Sequence, residues 1–262
     1  MDFSNKNYAI TGSTSGIGKS IAKTLAKKGA RLLLLGRGDN DRLNKLKNEL
    51  NLISQVSHHT ALFDSNNLNS IDIAIDQFAT KFKFNGLIHS AGVLHPSLLR
   101  DLSIDKMHEL ININLLSFFA LTKAVLKHGR YIKDDTSIIA ISSMAAFGAE
   151  PGLSLYGASK AALNSAALSL AKEYAKKGVR INTIAPLYVN TPMYESFATN
   201  FISKETQNYK LKELMPFGLI EASDVAEVAL FLLSSNSKKI TGECIKISSG
   251  GGVIDENRLL FA

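Results

Sequence analysis

The chain has one cysteine, no tryptophan and only five prolines among its 262 residues. A single cysteine, Cys244, excludes an internal disulfide, and it falls in a segment that reads as a strand. That fits a reducing, cytoplasmic setting. Long apolar runs are missing too. Runs such as Arg31-Leu-Leu-Leu-Leu-Gly36 are far shorter than the roughly 20 residues a membrane helix needs. No membrane partner is expected. Met1 to Tyr8 is polar with no hydrophobic segment behind it, so no secretory signal is expected either. The net charge is +7, yet there is no long basic block and no basic–aromatic interleaving. Lysines scatter over helix-like segments such as 19–28 and 172–177. Nucleic acid is therefore not an expected partner, and the charge reads as solvated surface that also steers an anionic cofactor. Linkers, repeats and low-complexity tracts are absent, so residues 1–262 read as one domain, near the upper end of what one domain holds.

What is present is an alternation of short apolar runs and helical patterns. Strands are expected at 8–11, 31–36, 56–63, 137–141, 179–185 and 243–247, and 86–92 reads as a short strand running into a tight glycine turn. Helices are expected at 17–28, 41–52, 67–82, 104–128, 156–174 and 224–233. This spacing argues for an α/β fold, a Rossmann-type doubly wound parallel sheet. The stretch 192–217 breaks the alternation and carries Met193, Tyr194, Phe197, Phe201, Leu214, Met215 and Phe217. It is either a small lid over a ligand crevice or a satellite helix covering core.

The first strand runs into Gly12-Ser13-Thr-Ser15-Gly16-Ile17-Gly18, which opens a helix. Glycines there let backbone approach a phosphate, and the helix start offers free N–H groups. The second strand ends at Gly36-Arg37. A dinucleotide fold that holds a bare ribose places an acid at about this point. Here an arginine stands instead, with Asp39 further on. Arginine suits a 2′-phosphate through forked, charge-assisted hydrogen bonds. A solvated loop arginine is the other reading.

Between Ser142 and Lys160 lie Tyr156 and Lys160, four residues apart. On a helix that spacing puts both on one face. An ammonium beside a phenol favours the phenolate, so the lysine is expected to draw the tyrosine pKa down toward working pH. Such a tyrosine exchanges protons readily. Ser143, at the end of the 137–141 strand, is placed to join it at one substrate oxygen. Taken alone, the tyrosine–lysine spacing reads as a plain amphipathic helix with a surface tyrosine and lysine. His58 and His59 point to opposite faces of a strand and have no third ligand, so no metal is expected.

Together these segments resemble the short-chain dehydrogenase/reductase family in its classical form, from Tyr8 to about Gly252. The resemblance implies a catalytic tetrad of Asn114, Ser143, Tyr156 and Lys160. Tyr156 would be the general acid or base, and Ser143 would hydrogen-bond the reacting oxygen. Lys160 would tune the phenol and hold the nicotinamide ribose. Asn114 would hold a water linking Lys160 to solvent. It further implies cofactor contacts at Gly12, Ser13, Ser15, Gly16, Ile17, Gly18, Arg37, Asp64, Ala91, Gly92, Tyr156, Lys160, Pro186, Val189 and Thr191. Asp64 would meet the adenine. The segment Asn182 to Pro186, with Thr191, would hold the nicotinamide amide. Arg37 without an acid at Gly36 implies NADP(H) rather than NAD(H), although Ser15 stands where some NADP-dependent members carry a basic residue.

Two departures stand out. The family's Asn-Asn-Ala-Gly turn is His89-Ser90-Ala91-Gly92, which puts support for the central strand in doubt. The usual Pro-Gly is Pro186-Leu187, which adds bulk near the nicotinamide end. The expected reaction is hydride transfer between nicotinamide and a small-molecule carbonyl or secondary alcohol. A 3-oxoacyl thioester reductase is the alternative within that chemistry. A non-catalytic NADP-binding regulatory protein is the alternative outside it. Leu94, Met144 and Leu187 favour an apolar or aromatic substrate, and Glu150 is either a pocket residue or a solvated loop acid. Small residues Ala158, Ala161, Ala162, Ala166 and Ala167 allow close helix approach, and the resemblance implies a homodimer or homotetramer.

Overall fold

A computed structural model describes residues 1–38, 40–63, 67–201 and 214–251 of the chain. The strands are β1 (Asn7–Thr11), β2 (Arg31–Gly36), β3 (His59–Leu62), β4 (Gly86–His89), β5 (Thr136–Ile141), β6 (Val179–Pro186), β7 (Val189–Asn190), β8 (Ile220–Glu221) and β9 (Cys244–Ile247). Seven of them form one sheet in the order β3-β2-β1-β4-β5-β6-β9, and each pair is parallel. The short β7 and β8 pair with each other apart from it. The helices are α1 (Gly16–Lys27), α2 (Asn40–Ile53), α3 (Ser70–Ala79), α4 (Ile104–Ile111), α5 (Ser117–Val125), α6 (Ser154–Tyr174), α7 (Pro192–Phe201) and α8 (Ala222–Leu233).

The apolar runs explain the layers. In β2, Leu32 and Leu34 pack with Ile21, Leu25, Leu43 and Val225 from α1, α2 and α8. Leu33 and Leu35 point the other way, to Ile75, Phe118 and Leu163 from α3, α5 and α6. A strand buried on both faces has no polar alternation to show, which is why β2 reads as an unbroken leucine run. Because every main-sheet pair is parallel, Thr11, Gly36, His89, Ile141 and Pro186 all end at one edge. The chain winds outward from β1 to β3, then returns to β4 on the far side of β1. That reversal opens a crevice between β1 and β4, where open α/β sheets bind ligands.

Two elements differ from expectation. The strand expected from Val56 begins only at His59. Side chains turn the chain before it: Val56 N–H donates to Ser54 Oγ at 3.2 Å, and His58 N–H to Asn51 Oδ1 at 3.1 Å. Local side-chain bonds of this kind compete with a strand ladder. The single helix expected over 104–128 is α4, then a π turn at Asn112–Leu116, then α5. The extra residue of the π turn coincides with Asn114, whose side chain is drawn to Val93. Of the expected lid, α7 and Leu214 to Phe217 are described, while 202–213 lie outside the described residues.

Candidate active site

The loop between β1 and α1 is shaped by contacts that exclude side chains. Gly12 adopts φ +66°, and a Cβ there would sit 2.5 Å from the Ser90 carbonyl oxygen. A Cβ on Gly18 would strike the Gly12 carbonyl. So glycine is required where the loop, the helix start and the turn after β4 meet. Ser15 begins α1 without capping it by its side chain, and the first turn carries no acid. The buried Ser13 Oγ has no hydrogen-bond partner among the described residues. Thr191, after β7, packs its methyl against Gly16. An orphan hydroxyl, an uncapped helix start and a cradle free of side chains fit the pyrophosphate of a nicotinamide dinucleotide.

The turn after β4 resolves one departure. His89 is fully buried. Ala91 N–H donates to Thr11 Oγ1 at 3.1 Å, so the threonine hydroxyl is free to donate to His89 Nδ1, 3.2 Å away. That arrangement ties β1 to β4 and replaces the missing asparagine. Burial pushes the imidazole pKa down to about 3, so the ring stays neutral.

Asn114 fixes the next residues. Its Oδ1 accepts from Val93 N–H at 2.9 Å. Its Nδ2 donates to the Val93 carbonyl at 3.1 Å and to Ser159 Oγ at 3.2 Å. Ser159 in turn donates to the Tyr156 carbonyl at 2.7 Å. The π turn is thus clamped both to the β4 loop and to the first turn of α6.

Tyr156 and Lys160 share one face of α6, with the ammonium 5.7 Å from the phenol ring centre. Lys160 Nζ donates to the Ile141 carbonyl at the end of β5, at 2.8 Å. Burial lowers its pKa to about 8. Ser143 follows β5, accepts from Ala145 N–H at 3.1 Å, and lines the same cavity as the phenol of Tyr156. The expected lowering of the Tyr156 pKa by the lysine is not what this geometry gives. Burial raises it, and the nearby Ser143 hydroxyl opposes the rise only in part. The reason is that the ammonium is committed to a backbone carbonyl instead of the phenol oxygen. The phenol accordingly keeps its proton at neutral pH, the state of an acid. A Cβ at Gly92 would lie 3.5 Å from both Asn114 Oδ1 and Lys160 Nζ, so the two polar groups face one small space.

These parts border one cavity of about 510 Å³. Gly12, Ser15, Gly16, Ile17 and Gly18 line it together with Gly92, Ser143, Tyr156 and Lys160. Pro186, Val189 and Thr191 line it beneath α7. Leu94, Met144, Phe147, Leu153, Leu187 and Met193 add apolar lining. Tyr188 joins them, with its ring 5.5 Å from Tyr194 and 6.5 Å from Phe197. Its hydroxyl donates to Glu150 Oε1 at 3.1 Å. Glu150 is thus both an exposed loop acid and part of the cavity's lining. Asn182 does not line it; it joins β6 to the approach of β9 through Ile240 and Glu243. His58 accepts from Leu32 N–H, and His59 packs on Phe78.

A family model described as enoyl-(acyl carrier protein) reductase matches residues 12–251. Among curated proteins, oxidoreductase UcpA of Salmonella typhimurium is 34% identical over 257 residues, covering 96% of each chain. The 3-oxoacyl-[acyl-carrier-protein] reductase FabG of Chlamydia trachomatis is 30% identical over 249 residues, covering 94% of this chain and 97% of that one. The chain belongs to the short-chain dehydrogenase/reductase family. A short-chain dehydrogenase from Burkholderia cenocepacia, solved with NADP, superposes with a TM-score of 0.86 at 24% identity. It covers 96% of this chain and 100% of its own, which shows a shared fold.

As a short-chain dehydrogenase/reductase, the chain is an oxidoreductase. Arg37 directly follows β2, outside the main cavity. Its Nη1 donates to Glu109 Oε1 in α4 at 3.1 Å. The other oxygen, Glu109 Oε2, lies 3.1 Å from His95 Nε2. Arg37 foremost, and His95 after it, hold the Glu109 carboxyl below its ordinary pKa. Asp64, the expected adenine contact, lies outside the described residues, as does Asp39. The sequence reading missed Glu109, His95, Ser159 and Tyr188. Ser159 was visible inside the Tyr156-Gly-Ala-Ser-Lys160 signature, but Glu109 is 72 residues from Arg37 and carries no local signal.

Proposed function

We propose that the chain is an NADP(H)-dependent carbonyl reductase or secondary-alcohol dehydrogenase, its reaction carried by residues 1–262 as one catalytic domain. The observation that carries this reading is that Ser143, Tyr156 and Lys160 line the same cavity as the glycine loop. When bound, the nicotinamide supplies or accepts the hydride. The protein's part is to bind, orient and handle a proton. Gly12, Ser13, Gly16, Ile17, Gly18, Ala91 and Gly92 form the backbone cradle. Ser143 donates a hydrogen bond to the substrate oxygen and steadies its developing negative charge. Tyr156 delivers its phenolic proton to that oxygen in reduction and takes one in oxidation. Lys160 resupplies the proton through a water that Asn114, across one small space from it, would hold. Arg37 takes the 2′-phosphate.

The apolar lining supports an apolar or aromatic carbonyl. A second reading, 3-oxoacyl thioester reduction, draws support from the likeness to FabG. The test is NADPH oxidation followed by absorbance across aliphatic, aromatic and diketone substrates, 3-oxoacyl thioesters and keto sugars. Tyr156→Phe is run beside the native protein. Turnover that vanishes in the variant supports the acid role and names a substrate class. Turnover that survives overturns that role. Bound NADPH with no turnover on any class leaves a regulatory binding protein. For the cofactor, Arg37→Ala is expected to weaken NADPH binding far more than NADH binding, and equal losses would refute the assignment.

A further inference from the structure

Arg37 is not free to meet a phosphate unopposed. Its guanidinium carries five N–H donors, and one Nη1 bond is already given to Glu109. Glu109 is anchored on α4 and held from behind by His95, which follows the pocket residue Leu94. The carboxylate is thus fixed in place by two donors from two other segments, β2's end and the β4–α4 connection. Both Arg37 and Glu109 stay accessible, at 46% and 40% side-chain exposure. A dianion that docks on Arg37 must therefore sit close to a fixed negative charge. At such a separation like charges repel even through partly screened solvent.

We propose that Glu109 is a specificity-determining residue that weakens 2′-phosphate binding at Arg37 and so narrows the preference for NADP(H) over NAD(H). This rests on the assignment of Arg37 to the 2′-phosphate. The carboxylate and the phosphate compete for one guanidinium, while a ligand without the phosphate meets no such opposition. Glutamine is the informative replacement. Its carbonyl oxygen keeps an acceptor for Arg37 and only the charge is lost.

The probes are 2′,5′-ADP and 5′-AMP, which differ by the 2′-phosphate alone, titrated by calorimetry into the native protein, Glu109→Gln and Arg37→Ala. Glu109→Gln is expected to bind 2′,5′-ADP about fivefold tighter at low salt, the scale of an exposed charge pair, with 5′-AMP unchanged. The gain should shrink at high salt. Equal changes for both ligands, or no change for either, would overturn the role of Glu109. Weaker binding of 2′,5′-ADP would overturn it too, because Glu109 would then be orienting Arg37. Arg37→Ala separates the two layers. A selective loss of 2′,5′-ADP there with a flat Glu109→Gln result refutes only the Glu109 proposal. An unselective loss refutes the phosphate assignment beneath it, and the Glu109 proposal with it.

Discussion

Lys160 carries its amine in full burial against the Ile141 carbonyl, and that costs stability when the amine is charged. In the unfolded chain the amine keeps its proton up to its ordinary value of 10.5; in the fold it loses it near 8. Between these values the unfolded chain binds more protons. The residue's contribution to stability therefore rises with pH from about 8 to 10.5, and its penalty is full below 8. Against Lys160→Met, the native protein should gain about 3 kcal/mol in unfolding free energy between pH 7 and 10.5. Urea titrations of both proteins at several pH values measure the difference. Tyr8 and Tyr156, raised by burial, act in the opposite sense above about pH 10, but they are common to both proteins and cancel. A flat difference would show that the amine is not desolvated. Tyr156 has a separate test. Tyr156→Phe should lower kcat by about 10²–10⁴-fold, the range of a lost general acid. Cofactor binding, followed by fluorescence, should change little. A parallel collapse of binding would make the phenol a cofactor anchor instead of the acid.

The π turn between α4 and α5 sets the position of Asn114, and the element depends on that side chain more than on local propensity. Three hydrogen bonds to Val93 and Ser159 end on it in a buried place. Ser117 adds a fourth brace, donating to the Ile113 carbonyl at 2.7 Å. Asn114→Ala should cost about 2–4 kcal/mol in urea unfolding, because buried backbone partners of Val93 are left unpaired. A loss below about 1 kcal/mol would mean the turn stands without the clamp. The turn also marks where sequence reading stops. Arg31–Gly36 was legible to the residue because a strand buried on both faces is one apolar run. The glycine loop was legible because steric exclusion leaves only glycine. The tyrosine–lysine pair was legible because helical spacing alone puts both side chains on one face. In contrast, 104–128 has an unbroken helical pattern, and the break comes from a contact with Val93, 21 residues away. The direction of the Tyr156 pKa was illegible for the same reason. It depends on where Lys160 sends its proton, and that is decided by the Ile141 carbonyl.

At the scale of the whole molecule, the sheet is covered on both faces, yet α5 and α6 leave apolar side chains outside. Phe119 is 42% exposed and Leu116, on the same cleft, 39%. A cleft of about 350 Å³ runs between Leu68, Phe119, Ala120 and Leu170. Burying such side chains against a second copy is favourable at about 25 cal/mol per Å², and a stable contact needs roughly 800 Å² per partner. The homo-oligomer implied by the family resemblance would use this face. The native protein is then expected to sediment as a dimer or tetramer at micromolar concentration. Phe119→Asp, which sets a charge in the middle of the face, should sediment as a monomer. A native monomer would refute the reading, and so would a variant that assembles normally. The same elements carry the site: α5 follows the π turn of Asn114, and α6 holds Tyr156 and Lys160. Contacts across this face therefore bear on the backbone that aims all three side chains. If so, the monomeric variant should lose kcat together with assembly, and raising its concentration until it dimerises should restore both. Assembly lost with kcat intact would show that α5 and α6 hold the site without a partner.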